Sequence, residues 1–390
     1  MAWRLPKLPF FDESHYQLAE KLQGWCADNA ALLHEHPEHD YGPIYQKVLG
    51  SLSKAKLLDY VLPRFDGDKM ITPDVRSICI IREALAYESF LVDCIFVMQG
   101  LGTAPLWHHP DKALRDSIID GCRSGKRVAG IALTEPGGGS DLAQAATTAT
   151  RDGNDYILNG EKAWITNAGV ADQYVVVART GEAAGARGLS AFLVDANTPG
   201  LAIDGDVKMI AAHSIGSLHF SNCRVPADRM IGGAGSGFKA AMATFDMFRP
   251  SVAGAAVGGA RRALDESIAR VKSRRMFGKT MAEMDTVQQR IAEMATDTEG
   301  AALMAYRAAW AYDVLGGRVS LEAAMSKLSA TEAASRVIDT AVQLFGALGV
   351  ARGNIVEQLY RDIRPLRIYE GASEVQKMVI ARTVLADSNR

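Results

Sequence analysis

The spacing of apolar residues changes character along this chain. From residue 13 to residue 126 apolar side chains recur at intervals of three and four, as at Ile78, Ile81 and Leu85, which is the spacing of one face of an α-helix. From residue 128 to residue 231 the apolar runs are short and are separated by Gly, Asp and Pro, a pattern that predicts β-strands. We therefore expect a helical segment followed by a segment of sheet.

Long alanine-rich stretches with helical spacing return after Gly237. They predict helices at residues 251–273, 283–315, 321–348 and 373–386. Stretches of this length suit a bundle of long antiparallel helices. The order of helices, sheet and helices predicts an α+β protein whose domains cover residues 1–127, 128–231 and 232–390.

A glycine-rich loop follows the first predicted strand. Residues 129–141 read AGIALTEPGGGSD, with three glycines between Thr134 and Ser140. Such a loop can present backbone N–H groups to a polar or anionic ligand. The glycine spacing of a Rossmann motif and the lysine of a Walker motif are both missing from it, so the loop predicts a different kind of ligand site.

The following segment, residues 156–167, reads YILNGEKAWITN. Asn159-Gly160 lies between alternating runs and predicts a two-residue hairpin turn. The hairpin would bring Trp164 and Thr166 to one face of a strand. Filling of the protein core is the alternative role for the tryptophan.

A lone carboxylate, Glu370, stands between a tyrosine and a glycine near the C-terminus. The glycine permits backbone angles that are closed to other residues, and the sequence SEVQ at 373–376 has the pattern of a capping box, which predicts a helix start. Glu370 would then lie just outside a helix N-terminus and partly removed from water, as suits a general base. An ordinary loop acid is the alternative.

Four segments, LTEPGGGSD, NGEKAWITNAG, SRRMFGK and YRDIRPLRIYEGASEVQ, occur in this order, and together they resemble the acyl-CoA dehydrogenase family. The resemblance covers nearly the whole chain. It implies a helical N-terminal domain, a central β-barrel-like domain and a C-terminal four-helix bundle. It also implies an FAD enzyme that removes the α-proton and β-hydride of an acyl-CoA to give the trans-2-enoyl-CoA, with Glu370 as the base and electron-transfer flavoprotein as the acceptor.

The resemblance further implies which residues hold the cofactor. Those expected at FAD within one subunit are Leu133, Thr134, Gly139, Ser140, Trp164, Thr166, Ala372 and Glu374. Those expected to reach the FAD of a neighbouring subunit are Arg274, Phe277, Gln343 and Gly346. Oligomerisation, as a dimer of dimers, would then be part of cofactor binding. For Arg274, a solvated basic pair at a helix end is the alternative.

The residues that the resemblance implies at the substrate are Phe96, Ser140, Asp246, Phe248, Arg249, Tyr369, Gly371 and Arg382. A salt bridge inside the bundle is the alternative for Asp246. Val92 and Asp93 stand where relatives that act on dicarboxylic acyl groups place an arginine, which disfavours a negatively charged acyl tail. The aromatic side chains of Phe96, Phe248 and Tyr369 would make the pocket short and broad, suited to short, branched, cyclic or aryl acyl groups.

The chain departs from the family pattern at three positions. Phe248 stands where some relatives carry their base, so Glu370 has no obvious competitor. Ala372 replaces a threonine near the flavin and removes one hydroxyl. An arginine of the β-domain is missing, and His213 lies nearby without a functional interpretation.

Composition narrows the picture further. The net charge of −2, from 43 basic and 45 acidic residues, gives no reason to expect a nucleic-acid partner. Five cysteines without CxxC spacing favour reduced thiols in the cytoplasm and no zinc site. The polar segment 34–39, with three histidines, is expected to be a solvated loop. No signal peptide or membrane span is expected.

Two other functions are compatible with the sequence. An acyl-CoA oxidase or flavin monooxygenase could use the same fold with oxygen as the acceptor. A non-catalytic protein that binds acyl-CoA is the second alternative.

Overall fold

The computed structural model describes residues 3–35, 37, 40–205 and 207–386. The α-helices within these residues are α1 Glu13–Asp28, α2 Ala30–Leu33, α3 Gly42–Lys54, α4 Val75–Glu88, α5 Phe90–Leu101, α6 Lys112–Arg123, α7 Gly237–Ser273, α8 Asp285–Trp310, α9 Ser320–Phe345, α10 Ile355–Ile363 and α11 Ser373–Ala386. The strands are β1 Arg64–Asp66, β2 Lys69–Ile71, β3 Ala129–Ala132, β4 Thr148–Asp152, β5 Asp155–Thr166, β6 Gln173–Arg179, β7 Leu189–Asp195, β8 Leu201–Asp204, β9 Ile215–Pro226, β10 Met230–Ile231, β11 Arg275–Met276 and β12 Lys279–Thr280.

The predicted order of helices, sheet and helices along the chain is confirmed. The residues group into two compact units, each built from separate segments. The helical unit comprises Met1–His34, Asp74–Asp93 and Asp246–Arg390, and the sheet unit comprises Glu35–Pro73 and Cys94–Phe245. The division into three contiguous domains stays a prediction.

The helical unit is built around α4, which is buried along nearly its whole length. Its buried residues include the charged side chains of Arg82 and Glu83 as well as the apolar ones, and buried charges need partners inside the protein. Helix α7 approaches it closely through small residues: a Cβ on Gly254 would lie 2.7 Å from the carbonyl oxygen of Cys79. Helix α9 packs against α8, α10 and α11.

Helix α7 begins fourteen residues before the predicted start, at Gly237, and contains Pro250. A proline is favoured in the first turn of a helix and usually disrupts later turns. The helix nevertheless continues past it. The hydroxyl of Ser251 donates a hydrogen bond of 2.6 Å to the carbonyl of Phe248. The sequence also missed the short β1–β2 hairpin and helix α10.

The sheet unit contains an eight-stranded sheet in the order β10-β7-β6-β4-β5-β9-β8, with β3 parallel to β6. Strands β6 and β7 lie in the segment where short apolar runs predicted β-structure. Aromatic and aliphatic side chains on the inner face form one core, which includes Tyr174, Phe192 and Phe220.

The hairpin predicted at Asn159-Gly160 is wrong. Strand β5 runs straight through these residues, and the turn lies earlier, where Asp152 pairs with Asp155. At Gly160 the pairing with β9 shifts by one residue, which is a β-bulge. The glycine is needed there because a Cβ would lie 2.7 Å from the Cα of Thr147.

Residues 90–108 are apolar and long enough to cross a membrane, but 89% of this stretch is buried inside the protein. Buried core helices can have the same length and composition, so these two features are weak evidence for a membrane span. All five cysteines are free thiols. Among the described residues there is no group of three His, Cys, Asp or Glu side chains suited to a metal ion. His36, Glu38 and His39 of the predicted loop at 34–39 lie outside the described residues.

Candidate active site

Glu370 lies in a strained turn of the helical unit. Its φ angle is +52° and that of Gly371 is +91°, so two consecutive residues are left-handed. A glutamate in this conformation costs free energy and persists only where its surroundings hold it. The amides of Ile368 and Tyr369 both donate to the carbonyl of Pro365, at 2.8 and 3.0 Å, and this closes the chain just before the turn.

Three side chains fix the two carbonyl groups of this turn. Arg249 Nε and Gln376 Nε2 each donate to the carbonyl of Glu370 at 3.2 Å. Lys327 Nζ and Gln376 Nε2 donate to the carbonyl of Gly371 at 2.8 and 2.9 Å. The backbone that carries Glu370 is therefore held by donors from α7, α9 and α11.

The side chain of Glu370 is left without a partner of this kind. Its Oε2 is buried and forms no hydrogen bond within the described part of the chain, although the residue as a whole is half-buried. Burial raises the pKa of Glu370, while the charges of Arg82, Lys327 and Arg249 oppose that rise and Asp93 adds to it. A carboxylate that is short of hydrogen bonds and has a raised pKa is suited to accept a proton.

We expect activity to fall on acidification at a higher pH than an ordinary glutamate would give. A glutamate can accept a proton only as the carboxylate, and burial raises the pKa of Glu370 above its usual 4.5. The rate of substrate-dependent flavin reduction should therefore rise with pH through this raised pKa and level off above it. Stopped-flow rates at saturating acyl-CoA would show this acid limb, and a constant rate down to the pKa of an exposed glutamate would contradict it.

A buried ion pair lies in the same unit. Arg82 binds Asp93 through Nε and Nη2, each at 2.8 Å, and its Nη1 donates to Ser251 at 3.0 Å. Both side chains are at most 3% exposed. The charge of Asp93 is thus balanced by Arg82, so Asp93 alone gives little ground for disfavouring a negatively charged acyl tail.

The start of α11 is confirmed at Ser373, but the predicted capping box is wrong. The hydroxyl of Ser373 donates to Glu332 at 2.6 Å, and the side chain of Gln376 binds the loop carbonyls instead of the helix end. Arg367, before the loop, also binds Glu332, with Nε 2.9 Å from its carboxylate. Tertiary contacts therefore take up both side chains that the local pattern assigned to the cap.

The predicted CoA contacts Asp246 and Arg249 bind each other. Arg249 Nη1 lies 3.3 Å from Asp246, and the side chain of Arg249 is 8% exposed. Ser320 donates to the second carboxylate oxygen of Asp246 at 2.5 Å. This is the salt bridge inside the bundle that the sequence left open for Asp246. Their contact with CoA stays a prediction.

The other predicted substrate residues differ in accessibility. Phe96, in the sheet unit, and Phe248, in the helical unit, have no accessible surface, so neither forms a pocket wall in this structure. Tyr369 is half-buried and Arg382 is exposed. Of the aromatic residues proposed to shape the pocket, only the tyrosine next to Glu370 offers surface to a ligand.

In the sheet unit, the glycine-rich loop is braced by a second buried ion pair. Lys162 Nζ lies 2.7 Å from Glu135 and 3.1 Å from the carbonyl of Leu133. Glu135 also accepts from the amides of Ala146 and Thr147, at 2.6 and 2.9 Å. Burial alone would raise the pKa of Glu135, but Lys162 and these donors lower it to about 2.

The same loop is tied to strand β5. The amide of Ala163 donates to the carbonyl of Thr134 at 2.9 Å. Next to it, Trp164 has a φ of +58° at a second register shift between β5 and β9, and its side chain is 59% exposed. Core filling is therefore excluded for Trp164. Thr166 is half-buried, while Ile165 packs in the core.

These groups fit a flavin nucleotide. An exposed indole offers a flat surface, Thr134 and Thr166 offer hydroxyls, and the exposed loop of Gly139 and Ser140 offers backbone N–H groups to polar atoms. Gly139 is also close to Thr134, since a Cβ at this position would lie 3.2 Å from the threonine Cγ2. These residues offer the flat surface and the donors that a flavin nucleotide needs, and their contact with FAD stays a prediction.

We expect Lys162→Met to loosen FAD binding and the sheet unit. The substitution leaves the Glu135 carboxylate buried without its counter-ion, which typically costs about 3 kcal/mol of folding free energy. It also removes the donor to the carbonyl of Leu133. FAD should be released at lower temperature and lower denaturant concentration than from the wild type, as measured by flavin fluorescence.

Lys47→Met is the matched control. Lys47 pairs with Glu35 in the same unit, but its side chain is 55% exposed, and exposed pairs contribute little to stability. Equal loss of FAD from both variants would contradict a specific role for Lys162.

The residues assigned to a neighbouring subunit's FAD lie on the surface of the helical unit. Phe277 and Gly278 both have positive φ angles at the tip of the β11–β12 hairpin, where the phenylalanine is 87% exposed. Arg274 and Gln343 are exposed, and Gly346 ends α9 with a positive φ angle of 63°. Their contact with a second subunit stays a prediction. Ala372 is half-buried and Glu374 exposed.

Sequence reasoning missed Lys327, Glu332, Arg82 and Lys162. A signal existed for Lys327, because it lies among the buried alanines of α9, where a lysine is unexpected. His213 is half-buried and burial lowers its pKa to about 4, so it is neutral at pH 7. Nothing in the structure gives it a function.

Comparison with known proteins agrees with these features. Residues 130–223 match the family model for the acyl-CoA dehydrogenase middle domain, and residues 235–385 match that for the C-terminal domain. The chain is 35% identical to cyclohexane-1-carbonyl-CoA dehydrogenase of Geobacter metallireducens over 89% of this chain and 91% of that protein. It is 40% identical to the human mitochondrial short-chain specific acyl-CoA dehydrogenase over 74% of this chain and 70% of that protein.

Among solved structures, the FAD complex of PigA is similar to this chain. The TM-score is 0.86 at 25% identity, and the match covers 98% of this chain and 99% of that one. The same fold therefore holds FAD. Two family-model matches and relatives at 35% and 40% identity settle the assignment: the chain belongs to the acyl-CoA dehydrogenase family and is an FAD-dependent acyl-CoA dehydrogenase.

Proposed function

We propose that this enzyme oxidises an acyl-CoA thioester to the trans-2-enoyl-CoA with Glu370 as the general base. The observation that carries the proposal is the buried Oε2 of Glu370, which has no hydrogen-bond partner among the described residues and sits in a turn held by Arg249, Lys327 and Gln376. The α-hydrogen of a thioester is weakly acidic, so the reaction needs a positioned base with a raised pKa.

Different residues of the chain would act on the substrate and bind the flavin. Glu370 takes the α-proton, and its own backbone N–H donates to the thioester carbonyl, where negative charge develops. Leu133, Thr134, Trp164 and Thr166 would hold the flavin. When bound, FAD supplies the acceptor for the β-hydrogen, which leaves as hydride. Orientation of the substrate supplies much of the remaining rate enhancement.

We further propose a short, branched, cyclic or aryl acyl group as the substrate. Tyr369, next to the base, is half-buried and offers an aromatic surface. The names of the two relatives, one for a cyclohexane carbonyl thioester and one for short chains, support a compact acyl group. Because Phe96 and Phe248 have no accessible surface, the proposal rests on the relatives and on the tyrosine.

Anaerobic bleaching of the flavin absorbance with a panel of acyl-CoAs tests both proposals. We expect rapid bleaching with cyclohexane-carbonyl-CoA, isobutyryl-CoA or butyryl-CoA, and slow bleaching with palmitoyl-CoA. Fastest turnover with long straight chains would refute the substrate class. No bleaching with any thioester, despite bound FAD, would refute the reaction.

Three further proposals concern the electron acceptor, the oligomeric state and the cellular compartment of the enzyme. Electron-transfer flavoprotein is the proposed acceptor, and hydrogen peroxide formed at the rate of substrate oxidation would instead indicate an oxidase. A homo-oligomer is proposed because Phe277, one of the residues assigned to the neighbouring FAD, is 87% exposed. A reducing compartment such as the cytoplasm is proposed because all five cysteines are free.

A further inference from the structure

Helix α9 contacts the Glu370 turn at three points. Lys327 Nζ donates to the carbonyl of Gly371 at 2.8 Å. Further along the helix, the carboxylate of Glu332 binds Arg367 before the turn and Ser373 after it. Helix α9 therefore binds residues 367–373, the segment that carries Glu370, at both ends and near its middle.

Lys327 is an unusual residue for this position. Its side chain is fully buried, and its ammonium group donates to a backbone carbonyl, whereas buried lysines are usually paired with a carboxylate. Burying a charge is unfavourable unless it is well compensated. A buried cation beside a functional carboxylate is a candidate for a role in function rather than in stability.

Lys327 and Glu370 affect each other's pKa through their opposite charges. Burial lowers the pKa of Lys327 to about 8, and the attraction of Glu370 opposes this shift, so the lysine is mostly protonated at pH 7. The charged groups that act most strongly on the pKa of Glu370 are Arg82 of α4, Asp93 of α5, Arg249 of α7 and Lys327 of α9. Those that act most strongly on the pKa of Lys327 are Glu370, Arg249, Glu332 and Glu374.

We propose that Lys327 is a positioning residue for the general base: it holds the left-handed Glu370-Gly371 turn through the Gly371 carbonyl, and its charge keeps the Glu370 carboxylate ionised. This inference rests on the proposed role of Glu370. The two functions of Lys327 are separable because Gln376 donates to the same carbonyl without carrying a charge.

The test compares Lys327→Met with Gln376→Met in the FAD-loaded enzyme. Methionine has nearly the shape of either side chain but neither donates a hydrogen bond nor carries a charge. The limiting rate of anaerobic flavin reduction by butyryl-CoA is measured from pH 5 to pH 9. FAD content and thermal unfolding are recorded for each variant.

We expect the rate to fall at least about tenfold in Lys327→Met, with the acid limb moved to higher pH by about one unit or more, because an opposite charge near a carboxylate lowers its pKa by that amount. In Gln376→Met the rate should fall while the acid limb stays in place. If Lys327→Met does not fold, Lys327→Gln takes its place, since it also removes the charge.

An unchanged acid limb in the lysine variant, or an equal shift in both variants, would overturn the proposal and leave Lys327 a structural residue. The failure of the proposed function looks different. In that case Glu370→Gln would reduce its flavin at the wild-type rate, whatever the lysine variants do.

Discussion

Glu370→Gln should reduce its flavin about 10²- to 10⁴-fold more slowly than the wild type with any acyl-CoA, which is the usual contribution of a general base. Glutamine keeps the shape of the side chain but cannot take a proton at neutral pH. The hydrogen bonds that hold the turn end on the carbonyls of Glu370 and Gly371, so they do not depend on the carboxylate. FAD content and thermal unfolding should stay close to wild-type values.

Glu370→Asp is the matched variant for this prediction. It keeps the charge but withdraws it by one methylene, so part of the rate should return. The rate is measured as anaerobic loss of flavin absorbance in a stopped-flow instrument. Retention of the wild-type rate by the glutamine variant, with FAD bound, would remove Glu370 from the reaction.

Arg82→Met should lower the free energy of unfolding by about 3–5 kcal/mol, the usual effect of breaking a buried ion pair by removing one partner. Asp93 would remain buried with no counter-ion. Burial already raises the pKa of Asp93 while Arg82 opposes the rise, so loss of the arginine raises the pKa further. The variant should therefore hold a proton on Asp93 in the folded state that the unfolded state releases.

The sign of the pH dependence follows from this proton. When the folded state binds more protons than the unfolded state, stability falls as pH rises. The Arg82→Met variant should thus lose stability from about the pKa of an unfolded aspartate, near 3.9, up to the raised pKa of Asp93. Urea unfolding at several pH values measures this slope.

Two controls accompany the arginine variant. Arg336→Met removes an arginine whose side chain is 60% exposed and pairs with Asp297, so its effect should be under about 1 kcal/mol. The double variant Arg82→Met/Asp93→Leu removes the orphaned charge and should recover much of the loss. A double variant less stable than Arg82→Met alone would contradict the buried-charge explanation.

Local patterns in the sequence predicted the features whose causes are local. The left-handed turn at Glu370 was indicated by the glycine after it, and the start of α11 by the residues that follow. The same local reasoning failed at Gln376, whose side chain binds carbonyls of the turn, and at Asn159-Gly160, where a bulge in a long strand replaces the hairpin. In both cases a tertiary contact overrides a short-range preference.

The hydrogen bonds and ion pairs around Glu370 could not be predicted because the two partners of each are distant in the sequence. Lys327 and Gly371 are 44 positions apart, and Arg82 and Ser251 are 169 positions apart. A single sequence gives no means to pair such residues. The fold class and the FAD cofactor were accessible from the family resemblance, and the residues assigned to FAD stay predictions from it, whereas the buried ion pairs required coordinates.

The most direct test of the account is whether Glu370 removes the α-proton independently of any later step. 3,3-Dimethylbutyryl-CoA has α-hydrogens but no β-hydrogen, so it cannot complete the oxidation. In D₂O, the wild-type enzyme should exchange its α-hydrogens for deuterium, as followed by NMR, while the flavin stays oxidised and Glu370→Gln shows only the background rate. Equally fast exchange by the two enzymes, or only background exchange by a wild type whose flavin spectrum shows that the thioester is bound, would contradict Glu370 as the base.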